Sequence, residues 1–338
     1  MGKWFDGTGL EEDVVVSTRI RIARNLKDYK FPQMMSLEES ERLTQKVLGA
    51  MKGISKDGNY RFVRISNLEP LERRIFIEEH LVSPGLIQRV DKGSFLLRED
   101  ENITIMINEE DHLRIQVLLP GLDFEKGWEL CNDVDDFLES TLKFAFDEDF
   151  GYLTSCPTNV GTGLRVSAMV HIPSLVMTKY VQGLIQGLNK IGLVARGIHG
   201  EGTKVIGNLY QISNQTTLGE SEEETIDKLR NIIYQIAKRE RDARDSLLKN
   251  KKLEIEDKIF RSLGILKHSR LISSNEAISH LSNVRLGMEM GIINDIDYNK
   301  ITKLMIEIQP ASIQKTTRGE LNKEERDSKR ASLIRRLI

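Results

Sequence analysis

Residues 94–119 read SFLLREDENITIMINEEDHLRIQVLL. Two apolar runs, 94–99 and 103–109, flank the short polar turn Asp100-Glu101-Asn102, the signature of an antiparallel hairpin. A third run, 112–119, is either a further strand or a continuation of the second past a bend. A doubly wound fold would instead need a helix between successive strands, so hairpins mixed with helices set the class as α+β.

Upstream, VVVSTRIRIARN (14–25) begins with β-branched residues and then alternates Arg19, Ile20, Arg21, Ile22. A strand here puts both arginines on one face and both isoleucines on the other. Ser36 and Glu39 have capping-box spacing at the head of a helix over 36–51, whose Leu43, Val47 and Ala50 share one side. A second helix spans 70–82, from Pro70 to the stop at Ser83-Pro84. Downstream come a helix over 125–144, a strand over 165–172, a helix over 175–192 ended by Gly192, and a hairpin over 194–214 with a glycine-rich tip.

From Ser221 the character changes. Ser221 and Glu224 form another capping box, and Ile226, Leu229, Ile233, Ile236 and Leu247 mark a long amphipathic helix. Beyond the basic stretch KNKKLEIEDK (249–258), helices are predicted near 254–262, 274–288, 295–308 and 320–337. The division falls into a mixed α+β unit, 1–250, and a helical C-terminal unit, 251–338.

The 338 residues are 30% charged with a formal net charge of −2, a balance that points to neither nucleic acid nor a membrane surface. No leader-like opening and no membrane-length apolar run is present, and Cys131 and Cys156 are too few for a disulfide framework. A cytoplasmic chain with free thiols and no protein-bound metal is the expectation.

Five arginines, Arg19, Arg21, Arg114, Arg165 and Arg196, lie on strand candidates or beside glycine-rich loops. Guanidinium forks match phosphate oxygens, and such a set suits a polyphosphate. No Walker lysine motif occurs, so a nucleotide would be held by arginines and backbone amides. If 108–114 keeps strand alternation, Glu110 points the same way as Arg114; Glu201, in RGIHGEGT (196–203), again puts a carboxylate near an arginine, Arg196. Cys131 reads as a core residue, whereas Cys156, in SCPTNVGTGLR (155–165), would be favoured as thiolate among arginines.

These segments together resemble the phosphagen kinases, and within them the protein arginine kinases. The match rests on STRIRIARN, NEEDHLR, CPTNVGTGLR and RGIHGEGT, in the family's order over roughly 14–250. The resemblance implies that Ser17, Thr18, Arg19, Ile20 and Arg21 contact ATP, with His80, Arg114, Arg165, Val166, Ser167, Ala168 and Met169. It adds Arg196, Gly197, Ile198, His199, Gly200 and Glu201 to that set. It implies His80 against the adenine, with Met169 where creatine kinases carry a second histidine. Glu110 and Glu201 match the carboxylates that hold the acceptor guanidinium, Cys156 matches the reactive cysteine, and Mg²⁺ would be held through phosphate and water.

Two departures from small-molecule phosphagen kinases point to a protein substrate. The first arginine motif begins at Ser17, without the helical substrate domain those enzymes place ahead of it. RDSKRA (326–331) matches the R-D-x-x-R-A motif of protein arginine kinases, which implies an allosteric phosphoarginine pocket at Arg326, Asp327 and Arg330. The resemblance further implies a homodimer, a zinc-binding activator protein, an AAA+ unfoldase-protease that takes the marked proteins, and control of a stress repressor. Two rivals remain at this stage: a kinase for free arginine or a related guanidine, and a phosphoarginine-binding module without turnover.

Overall fold

Alternation in 14–25 makes a strand with two unlike faces, and the sheet is built around it. In a computed structural model, which describes residues 3–53, 59–197, 205–317 and 319–338, this strand is β1, Val15–Arg24. Helix α1, Leu37–Met51, follows with its Ser36/Glu39 capping box formed, and then comes β2, Tyr60–Arg64. Helix α2, Pro70–Glu78, is shorter than expected because His80 takes a left-handed conformation (φ 59°) that ends it. After α3, Pro84–Gln88, the stretch 94–119 folds as β3, Ser94–Arg98, β4, Ile103–Ile107, and a separate strand β5, Leu113–Pro120. Helix α4, Phe124–Glu139, packs below them, and the small hairpin β6, Phe146–Asp147, and β7, Gly151–Tyr152, lies beyond.

Strand β8, Leu164–His171, is followed by two helices in place of the single one expected over 175–192. These are α5, Pro173–Met177, and α6, Val181–Lys190. Lys179 separates them with a φ of 65°, a conformation that neither glycine nor proline announces in the sequence. Strands β9, Leu193–Gly197, and β10, Leu209–Asn214, pair as a hairpin. The eight-stranded sheet runs β2-β3-β4-β5-β1-β8-β10-β9, with every described pairing antiparallel.

The long helix α7, Glu222–His268, runs further than expected and absorbs the helix read over 254–262, with a bend at Lys251 (φ −141°, ψ 31°). Then come α8, Ser274–Glu289, α9, Tyr298–Glu307, α10, Pro310–Lys315, and α11, Lys323–Leu337. Three apolar clusters result. One lies beneath the sheet and includes Ile20, Ile22, Val166, Ala168 and Cys131, whose thiol burial pushes up in pKa. A smaller one, with Trp4, Phe5, Leu81 and Phe95, covers the β2–β4 end. The third joins the C-terminal helices and reaches Val16, Met169 and Ile206.

A buried ionic seam ties the two parts. Glu289 of α8, fully buried, pairs with Arg244 of α7 at 2.7 Å, with Arg285 at 3.0 Å and with His171 of β8 at 3.2 Å. Arg244 also meets Asp13 at 2.8 Å, and Arg285 donates to the Glu12 carbonyl.

His112 is fully buried; its Nδ1 accepts from Leu26 N at 2.9 Å while Nε2 lies 2.7 Å from the Lys30 carbonyl, the pattern of a neutral Nε2–H ring. Burial holds its pKa below the ordinary 6.5. The unfolded chain therefore takes up a proton below pH 6.5 that the folded chain refuses, so this contribution is complete above that pH and lost as pH falls. The stability difference between the native chain and His112→Gln should shrink by up to about 1.4 kcal/mol per pH unit below 6.5, read from urea midpoints. Using the difference removes Asp135, whose burial pushes its carboxyl up to about 6 and which titrates the opposite way.

Candidate active site

Directly opposed residues in antiparallel strands share a face. On the face away from the main core, Arg21 lies opposite Arg165 and Gln116, Arg19 opposite Ser167 and Leu118, and Ser17 opposite Met169. The row continues through Gln211, which opposes both Met169 and Arg196. On this face lies a cavity of about 430 Å³ lined by Arg19, Arg21 and Arg165 on β1 and β8 and by Arg196 in register with Gln211 and Met169, with His80 among its other walls.

Strand alternation corrects part of the motif reading. Ile20, Val166 and Ala168 point into the core beneath the sheet, and Thr18 donates to the Gly121 carbonyl, so their side chains do not reach the cavity. Gly197 pairs with Tyr210 at the end of β9, one register position beyond Arg196. Ile198, His199, Gly200 and Glu201 lie outside the described residues.

Crowded cations define the site's electrostatics. Burial, with repulsion from Arg114 and Arg165, brings the pKa of Arg19 down to about 10. Burial, with repulsion from Arg19, Arg114 and Arg165, holds Arg21 well below its ordinary value, and its buried Nε has no hydrogen-bond partner among the described residues. Like charges gathered out of water are costly, and a multivalent anion relieves them.

The 108–112 segment is a tight bend and not the continued strand that the alternation argument assumed. Asn108 (φ 60°) donates to the Ser40 carbonyl and to Thr44 Oγ1, both at 3.1 Å. Glu109 turns inward, accepts from Ser83 Oγ at 2.7 Å and pairs with Arg114; sequence reading passed over it. Glu110 turns outward and meets Arg114 Nη2 at 3.0 Å, the pairing expected but reached across the bend. Burial raises its pKa, Arg114 opposes, and Asp111 and Glu109 add to the rise.

Asp111 joins this bend to the cysteine loop. Fully buried, its Oδ1 accepts from Asn25 Nδ2 and from Ser155 N, both at 2.7 Å. Glu110 and Cys156 are thus the sequence neighbours of two directly bonded residues. Cys156 is half-buried, with Sγ 3.0 Å from Thr158 Oγ1. The loop beyond it is clamped: at Gly161 (φ 111°) a Cβ would stand 2.1 Å from the Thr217 carbonyl oxygen. Arg24 donates to the Thr162 carbonyl at 2.8 Å, and its guanidinium lies over Tyr152 at 3.4 Å.

At the C-terminus the helical spacing is right but the partners differ from the simple one-face reading. Arg330 is buried, donating to the Ile308 carbonyl at 2.7 Å and the Ile272 carbonyl at 2.8 Å, and it pairs with Asp327. Arg326, half-buried, donates to the Leu321 carbonyl at 2.6 Å. A backbone carbonyl is the acceptor nearest to hand for a guanidinium enclosed by neighbouring helix ends.

Several lining residues carried no signal of chemistry in the sequence. Gln116 follows Arg114 by two on one strand and was findable by alternation. Trp4, and Ile278, Met305 and Gln309 from the C-terminal helices, were not. Taken together, the site has a cationic floor suited to a polyphosphate, and a carboxylate, Glu110, paired with Arg114 on the same sheet face.

Residues 41–243 match the family model described as ATP:guanido phosphotransferase, C-terminal catalytic domain, and residues 252–338 match that described as Protein-arginine kinase McsB C-terminal domain. The chain is 47% identical over 334 residues to a protein-arginine kinase of Bacillus cereus (strain B4264), covering 98% of this chain and 94% of that one. It is 47% identical over 337 residues to the corresponding protein of Halothermothrix orenii (strain H 168), covering 99% and 96%. Among solved structures, the duplicated taurocyamine kinase of Schistosoma mansoni with transition-state analogue components matches with a TM-score of 0.62 and 25% identity, over 68% of this chain and 33% of that one. Lombricine kinase shares the fold, with a TM-score of 0.61 and 24% identity over 70% and 68% of the two chains.

Proposed function

The chain belongs to the protein-arginine kinase family, enzymes that phosphorylate arginine with ATP, and from that membership we propose how its own residues divide the work. Arg19, Arg21, Arg165 and Arg196 grip the triphosphate, with Arg114 beside them, while Ser17, Ser167, Met169 and His80 flank the rest of the nucleotide. The observation that carries this reading is the meeting of mutually repelling, half-buried arginines in one cavity. Mg²⁺ would enter on the phosphates, where it spreads developing charge; no side chain of this protein is assigned to it.

The acceptor is a guanidinium that is protonated at any working pH, so its nitrogens are poor nucleophiles. Glu110 and Glu201 bind it as a fork and aim one nitrogen at the γ-phosphorus. As the N–P bond forms and the bond to the β-phosphate oxygen breaks, a carboxylate takes the proton that nitrogen gives up. The raised pKa of Glu110 fits a proton acceptor better than a fully solvated carboxylate would. Cys156 adds a further partner for the guanidinium. Holding both reactants in line supplies roughly 7–11 kcal/mol of the barrier reduction.

The family resemblance supports a protein side chain as the substrate, a phosphoarginine mark read by an AAA+ unfoldase-protease, and regulation of a stress repressor by the kinase. The R-D-x-x-R-A segment supports a regulatory phosphoarginine pocket at Arg326, Asp327 and Arg330. Family resemblance is likewise the support for a homodimer, a zinc-binding activator protein and a cytoplasmic setting; no described helix is long and apolar enough to cross a membrane.

Incubation with Mg-ATP and an unfolded arginine-rich protein should yield acid-labile phosphate on arginine, located by mass spectrometry. Label appearing only on free arginine, with the protein acceptor untouched, would reassign the substrate.

A further inference from the structure

The nucleotide cavity is not built by the catalytic unit alone. At one end of its floor is the Arg21–Arg165 row; four residues along each strand, Ser17 and Met169 are reached, and Met169 packs on the C-terminal helical cluster. At that end the wall consists of Ile278 from α8, Met305 and Ile306 from α9, and Gln309 just before α10. Along β1 and β8 the floor therefore runs from cationic to apolar, as a nucleoside triphosphate runs from phosphate to base, with Arg196 flanking the Met169 end from two strands away.

Each part of that wall is pinned to the catalytic unit. Gly207, before β10, has φ 65°, and a Cβ there would stand 2.5 Å from Ile278 Cγ2, so the segment runs against α8. Ser282 of α8 bonds His171 Nε2 at 2.8 Å and accepts from Asn208 Nδ2 at 2.9 Å. Glu78, two residues before His80, accepts from Ala311 N and Ser312 N, both at 2.8 Å, and so fixes the start of α10 next to Gln309. Gln309 is itself oriented by donating to the Met305 carbonyl at 3.0 Å.

We propose that the C-terminal helices supply the base-binding wall of the ATP site, with Met305 and Gln309 as specificity-determining residues for the nucleotide. This inference rests on the cavity being the nucleotide site. Apolar contact and a fixed amide at the base end add affinity for ATP over the same anion without a base, and they touch neither the acceptor carboxylate nor the phosphate grip.

The test compares binding of Mg-ATP and of inorganic tripolyphosphate to the full chain by calorimetry. Met305→Ala and Gln309→Ala should each weaken ATP about fivefold or more and leave tripolyphosphate within about twofold. The KM for ATP should rise in step, while kcat at saturating ATP and the KM for a protein acceptor stay within about twofold. Gln309 is half-exposed, so its variant keeps the test open if Met305→Ala folds poorly. Unchanged ATP affinity in Gln309→Ala and in folded Met305→Ala, or equal loss of both probes, overturns the inference. Arg21→Ala separates the two levels: it should lose both probes, and if it binds both normally the nucleotide reading of the cavity falls as well.

Discussion

Glu110→Gln is expected to lower phosphoryl transfer to arginine about a thousandfold while ATP affinity stays within about twofold. The carboxylate has two duties in the proposed reaction, one half of the guanidinium fork and a place for the departing proton, and the amide performs neither. Its removal should spare the nucleotide because Arg114 keeps its second carboxylate, Glu109, which is anchored by Ser83 at 2.7 Å. The ring of cations around Arg21 is thus left in place. Single-turnover transfer measured beside equilibrium ATP binding decides the matter. A parallel loss of both, or transfer within tenfold of the native rate, would show that Glu110 props up Arg114 and takes no part in the chemistry.

The second large effect is on stability. Glu289→Ala should cost about 3–5 kcal/mol, because a buried pair broken on one side leaves its partners charged in a dry setting. Here two guanidinium groups, Arg244 and Arg285, and the His171 ring lose the same acceptor, and none of the three has more than a few per cent of its side chain in contact with water. Arg244 retains Asp13 and Glu240, which is why the expected cost stays at the scale of a single broken pair. Urea unfolding followed by circular dichroism gives the number. A loss below about 1 kcal/mol would mean that water enters the seam freely, and the two units would then be only loosely joined.

How much of this was legible in the sequence depended on how local the cause was. The face of β1 could be read because Arg19 and Arg21 alternate with two isoleucines, and a period of two leaves no other assignment. The capping boxes at Ser36 and Ser221 could be read because cap and partner are three residues apart. The break at Lys179 could not, since a lysine in the left-handed region leaves no compositional mark. Nor could the bend at 108–112: it is set by Asn108 reaching Ser40 and Thr44 in another element, and alternation through it gave the right pair for the wrong reason. Glu109 and Asp111 belong to the same class, polar residues whose partners lie dozens of positions away. The family motifs named arginines that the fold gathers on one sheet face, but a contiguous motif on a strand necessarily includes residues of both faces, which is how Ile20 and Val166 came in with Arg19 and Arg165.

The wall that the C-terminal helices lend to the proposed ATP cavity has a practical corollary for anyone dissecting the molecule. A fragment cut near residue 250 would retain every family motif of the kinase reaction yet would lose Met305, Gln309 and the α8 face that covers His171. Kinetic constants from such a fragment would describe a different catalyst. Chimaeras between relatives will keep native nucleotide affinity only if both sides of that seam travel together.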